Sequence, residues 1–127
     1  MKIININELK PTDNSKGPLF FGGSVTTQHI LEEDHKGSKI RGIMVNFEPG
    51  ARNKLHMHTS GQILIITQGK GIVATKDKEY IVTSGMIAYF PAGEEHWHGA
   101  TKDSDFSRLS ILGDPYKFKN PKDEDKQ

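Results

Sequence analysis

Three histidines and a glutamine, carried by two separated glycine-bounded segments, constrain this chain more than any other feature. The first segment runs from Gly50 through His56, His58 and Gln62 to Gly69; the second runs from Gly85 through Pro91 and Gly93 to His96. On an extended strand, side chains at i and i+2 leave the backbone on one side, so His56 and His58 aim at a common point. Gln62 keeps that parity, but Thr59, Ser60 and Gly61 intervene and predict a bend before regular strand resumes. His96 has to reach the same point from a neighbouring strand, with Pro91 and Gly93 making the turn that delivers it. Gly69 and Gly85 bracket a connection suited to a hairpin between the two segments. Such convergence requires a sheet curled around an interior.

The rest of the chain supplies that sheet. Runs of β-branched and aromatic residues separated by turn residues predict strands over 24–31, 39–47, 62–67, 71–76, 79–82, 86–90, 97–100 and 106–112. No stretch has a convincing helical period, so the expected class is all-β, a closed barrel or double-sheet jelly roll whose interior holds a small ligand. At 127 residues this is one domain. Residues 1–39 read as an N-terminal extension with edge strands, 40–112 as the barrel, and 113–127 as a charged, mobile tail.

Composition excludes several classes of function. Seventeen basic residues against sixteen acidic ones leave a net charge of +1, spread without a basic stripe or stacked aromatics, so no nucleic-acid partner is expected. No apolar run approaches a membrane span and no secretory leader is visible, which makes the cytoplasm the expected location. The absence of cysteine removes disulfides and thiolate ligands alike. The candidate ligands are therefore nitrogen and oxygen donors. Neutral imidazoles suit zinc, copper, nickel and iron, and a fourth oxygen donor extends the set to manganese. One divalent first-row transition metal per chain is expected. Gln62 reads two ways, as a ligand through its amide oxygen or as a hydrogen-bonding group beside three histidine ligands. Either way it brings no negative charge. A metal held by neutral groups stays a strong Lewis acid and favours an anion at any open position.

The spacing of both segments resembles the two-part signature of the cupin superfamily, over roughly residues 40–112. The stretches Phe47-Glu48-Pro49-Gly50-Ala51-Arg52, His56-Met57-His58, Gly61-Gln62 and Gly93-Glu94-Glu95-His96-Trp97-His98-Gly99-Ala100 resemble small bacterial cupins that include manganese-dependent hydroxynitrile lyases, also labelled carboxymuconolactone-decarboxylase-like cupins. The resemblance implies a cupin barrel, metal binding by His56, His58, Gln62 and His96, and manganese as the first choice of ion. The wider superfamily usually has Glu at the place of Gln62 and ends its second motif in Asn, where this chain has Ala100. In the lyase-like relatives a histidine tends to stand where this chain has Arg108. Arginine stays protonated, so it is no proton acceptor. Arg108 can clamp a carboxylate substrate or carry a structural salt bridge. His98 shares the face of His96 and reads as an acid/base group at the pocket or as a structural one.

Other residues carry less. His29 and His35, beside Glu32, Glu33 and Asp34, read as a solvated loop without assigned function. Arg52 and Lys54 read as solvent-facing, while Met44 and Ile87 are apolar residues able to line a pocket. The expected function is a metal-dependent enzyme acting on a small, anionic-leaning organic molecule by lyase, decarboxylase or isomerase chemistry, hydroxynitrile-lyase-like chemistry included. A metal-dependent dioxygenase and a non-catalytic small-molecule binder are the alternatives. A homodimer built through a sheet edge or an exchanged N-terminal strand is the expected assembly.

Overall fold

The computed structural model describes residues 1–32, 39–113 and 116–117. The expectations for His35 and for the charged tail beyond residue 117 lie outside them. A single 3-10 turn, Ile6–Glu8, precedes the strands and is capped by the Asn5 side chain, which accepts from the Asn7 N–H. The strands are β1 (Thr12–Asp13), β2 (Phe20–Phe21), β3 (Val25–Leu31), β4 (Arg41–Phe47), β5 (Arg52–Asn53), β6 (Met57–His58), β7 (Gln62–Ala74), β8 (Glu79–Thr83), β9 (Ile87–Phe90), β10 (Trp97–Ala100), β11 (Phe106–Leu112) and β12 (Tyr116–Lys117). The class is all-β, as expected. No helix among the described residues is long and apolar enough to cross a membrane.

The sheet path runs β1-β3-β4-β11-β7-β10-β5-β2, with β8 and β9 also pairing with β7, and β6 pairs with β12. Every recorded pairing is antiparallel. The curl originates in β7. Its first half lies between β11 and β9, and its second half between β10 and β8. The sequence predicts two strands here, over 62–67 and 71–76; the structure has one strand of 13 residues. Gly69, at φ 79°, bends it without ending it, and the β7–β8 hairpin closes lower down, where the Thr75 N–H donates to Lys78 O at 2.9 Å. The turn holding Gly85 instead joins β8 to β9, with the Met86 N–H donating to Thr83 O at 3.0 Å.

Alternation along β11 explains where a site can form. Phe106, Arg108, Ser110 and Leu112 are buried, whereas Ser107, Leu109 and Ile111 are only half-buried. The inward face thus changes from apolar to polar partway along one strand. At the apolar end Phe106 packs on Phe47 with ring centroids 5.8 Å apart, and Phe20 meets Phe47 edge-on at 5.9 Å. Val25, Leu64, Ile66, Val73 and Phe90 complete this core. Full burial of each such side chain is worth about 1.5–3 kcal/mol, which supports the polar half. On the outward face of β9, Ile87 is 67% exposed and Tyr89 is 64% exposed. Ile87 therefore points away from the interior, and neither it nor half-buried Met44 lines the cavity, contrary to their expected role. Arg52 also departs from expectation: its guanidinium carbon stacks 3.5 Å from the Trp97 ring centroid instead of standing free in solvent.

Candidate metal centre

The two histidine-bearing segments meet through their backbones. The His56 N–H donates to His96 O at 3.0 Å and the His96 N–H donates to His56 O at 2.8 Å, so the two imidazoles leave adjacent points of one bridge. The His56 and His96 ring centroids lie 4.5 Å apart. His58 follows in the two-residue strand β6, with its ring 5.2 Å from that of His56 and 5.6 Å from that of His96. The bend at Thr59 and Ser60 then returns the chain to β7, where Gln62 points inward. The Pro91–Gly93 turn delivers His96: the Glu94 N–H donates to Pro91 O at 3.2 Å and the Gly93 N–H donates to His58 O at 2.8 Å. All four side chains are buried.

One ring nitrogen from each of His56, His58 and His96 lies within 4.8 Å of the other two. Ligands about 2.1 Å from a common ion stand up to about 4 Å apart, so small rotamer adjustments close the set. It is the sole such cluster of His, Cys, Asp and Glu among the described residues.

Hydrogen bonds fix which nitrogen faces inward. His56 Nδ1 meets Lys54 O at 2.6 Å and His96 Nδ1 meets Glu94 O at 2.9 Å. A carbonyl only accepts, so both Nδ1 atoms carry the proton and both Nε2 atoms offer lone pairs. Burial holds the pKa of His56 well below the usual imidazole range, with the neighbouring His96 and Arg108 adding to the effect. Burial likewise lowers that of His96 to about 4, against the opposing pull of the Glu94 carbonyl. Both rings are neutral at physiological pH, the form that binds metal. Phe90 lies flat on His96 at 3.9 Å between centroids, which locks the ring plane.

Gln62 supplies the test of fit. Its Nε2 donates to Ser110 Oγ at 2.7 Å, which turns Oε1 towards His96 Nε2 at 3.0 Å. Two lone pairs facing each other in a buried space repel unless a cation lies between them. The donor set therefore suits a divalent ion held by three imidazoles and one amide oxygen. Among the described residues no aspartate or glutamate lines the adjoining cavity, which has a volume of about 320 Å³.

His98 and Arg108 sit beside this cluster. His98 is fully buried and does not line the cavity. Its backbone N–H donates to Asn53 Oδ1 at 2.8 Å, and its Nδ1 accepts from Asn53 Nδ2 at 3.1 Å and from Arg108 Nη2 at 3.0 Å. Burial, then the Arg108 charge, pushes its pKa well below the usual value. Arg108 does line the cavity. No described carboxylate pairs with it, and its buried Nε has no acceptor, so the structural salt bridge is not made. Asn53 and Ser110 were not singled out from the sequence. Ser110 shares the inward parity of Arg108, a signal sufficient to find it; Asn53 gives no local signal. His29, left without a function, borders the cavity from β3.

Comparison with known proteins agrees with this fold. The cupin domain family matches residues 43–112. The (R)-mandelonitrile lyase of Granulicella tundricola is 34% identical over 100 residues, covering 77% of this chain and 76% of that protein. A cupin-like protein from Thermotoga maritima superposes with a TM-score of 0.77 at 26% identity, covering 99% of this chain and 96% of its own. A predicted oxalate decarboxylase from the same organism gives a TM-score of 0.79 at 22% identity, covering 90% of this chain and 100% of its own, a likeness of fold.

Proposed function

This chain belongs to the cupin domain family, and from that premise we propose that it is a metal-dependent lyase that cleaves or forms a carbon–carbon bond next to an oxygen-bearing carbon of a small molecule. The observation that carries this reading is the ligand set: three imidazoles and one amide oxygen converge, with no carboxylate at the cavity among the described residues. A divalent ion so held, manganese by preference, would supply Lewis acidity to a substrate oxygen. His56 and His96 would bind it through Nε2, His58 through a ring nitrogen and Gln62 through Oε1. The likeness to a mandelonitrile lyase supports the same bond type. His98 we assign to positioning: its Nδ1 is occupied by Asn53 and Arg108, so it holds the guanidinium and does not receive a substrate proton.

Two measurements test this together. Protein purified without chelator from metal-supplemented cells is expected to carry close to one divalent ion per chain, and His56→Ala to carry almost none. Loaded protein is expected to release cyanide from mandelonitrile, and chelated protein to lose that activity. Absence of metal from the wild type, or equal cyanide release after chelation, overturns the reading; oxygen uptake with catechols or diketones would point to the dioxygenase instead.

A further inference from the structure

Arg108 is a cation in the interior of the barrel with no counterion among the described residues. It is 4% exposed, on the inward face of β11, two residues from the Ser110 that orients Gln62. Structural arginines at such depth are ordinarily ion-paired, because removing a charge from water costs several kcal/mol. Here Nη2 donates to the neutral His98 Nδ1 at 3.0 Å, the guanidinium carbon lies 5.5 Å from the Phe47 ring centroid, and Nε is buried with no acceptor. Burial lowers its pKa to about 9, which still leaves it protonated at neutral pH. Asn53 and His98 are committed to aiming it. The charge is thus held in place and left without a described anionic partner.

The surroundings define that group. Arg108 opens on the same cavity as His56, His58 and Gln62, and no described aspartate or glutamate lines it. The guanidinium stands near the metal ligands: it bonds His98 Nδ1 at 3.0 Å, and the His98 ring centroid is 5.7 Å from those of both His56 and His96. A planar fork of N–H donors matches a carboxylate. At about 320 Å³ the cavity is at the small end of ligand pockets. We propose that Arg108 receives the carboxylate of the substrate, and that the substrate class is a small 2-hydroxy or 2-oxo acid whose neighbouring oxygen reaches the metal ligands. This rests on the lyase reading and narrows it. A 2-hydroxy acid is the carboxylate counterpart of a cyanohydrin, with the charged group placed where Arg108 can meet it.

The test uses zinc-loaded protein with glycolate as probe and glycolamide as its neutral counterpart. The chain has three arginines, Arg41, Arg52 and Arg108, so Arg41→Lys and Arg52→Lys assign the Arg108 Nε–H resonance by elimination. Glycolate is expected to move that resonance and glycolamide to leave it in place. By calorimetry, Arg108→Gln is expected to bind glycolate about 10- to 100-fold more weakly, the loss typical of one charge-assisted hydrogen-bond pair, at unchanged metal content. An unmoved resonance, or equal affinity in a metal-replete Arg108→Gln protein, overturns the clamp and leaves the lyase reading intact. Wild-type protein that takes up no metal yet shifts the resonance with glycolate sinks the lyase reading and keeps the clamp. If Arg108→Gln does not fold, the wild-type resonance decides alone.

Discussion

Gln62 sets the charge of the centre, and its effect can be read in isolation. Changing Gln62→Glu adds one negative charge among ligands that now have none, so the ion is held more tightly and polarises its substrate less. Competition with a chelator is expected to show slower metal loss from this variant, about tenfold or more, together with slower cyanide release. Faster release would contradict the Lewis-acid role. The convergence of His56, His58, Gln62 and His96 was legible in the sequence because strand parity and glycine-bounded turns are local properties. The isolation of Arg108 was not. Whether a buried cation has a partner depends on every element packed around it, and the absence of a carboxylate has no local signature. Asn53 was hidden for the same reason, since it reaches His98 across 45 positions of chain.

At the scale of elements, β7 decides the architecture and Gly69 decides β7. A Cβ at Gly69 would lie 1.9 Å from the backbone oxygen of Asp105, and the residue already has φ +79°. Gly85 has φ +94°, yet nothing lies within 4 Å of the corresponding position. Gly85→Ala is therefore expected to cost only left-handed backbone strain, about 1–2 kcal/mol. Gly69→Ala adds a collision between backbones that neither strand can relieve cheaply, and is expected to cost more than twice as much in urea unfolding. Equal costs would show that the bend in β7 yields easily. From sequence, Gly69 and its neighbours Gln68 and Lys70 look like an interruption between two strands. Pairing to β11 on one side of the bend and β10 on the other keeps the strand continuous, and pairing at that distance is invisible in a local window.

At the scale of the whole molecule, the buried histidines make the metal-free fold sensitive to acid. His96 has a folded pKa of about 4 against 6.5 when free, with burial the leading cause. Between those values the unfolded chain binds the extra proton, so stability falls as pH drops from about 6.5 towards 4. His96 alone accounts for up to about 3 kcal/mol, and His56 and His98 shift in the same direction. Urea unfolding of chelated protein is expected to show this decline, with a flatter profile for His96→Gln; a flat wild-type profile would mean that these rings are hydrated.

The place of β11 in the path has a further consequence, for synthesis. This strand lies between β4 and β7, although both precede it in the chain. Until Phe106–Leu112 has left the ribosome, β4 and β7 each present an open edge with nothing to join, and the aromatic cluster lacks Phe106. Closure of the sheet path therefore waits on a strand made after both of its neighbours, and until then the nascent chain is exposed to edge-to-edge association with its neighbours.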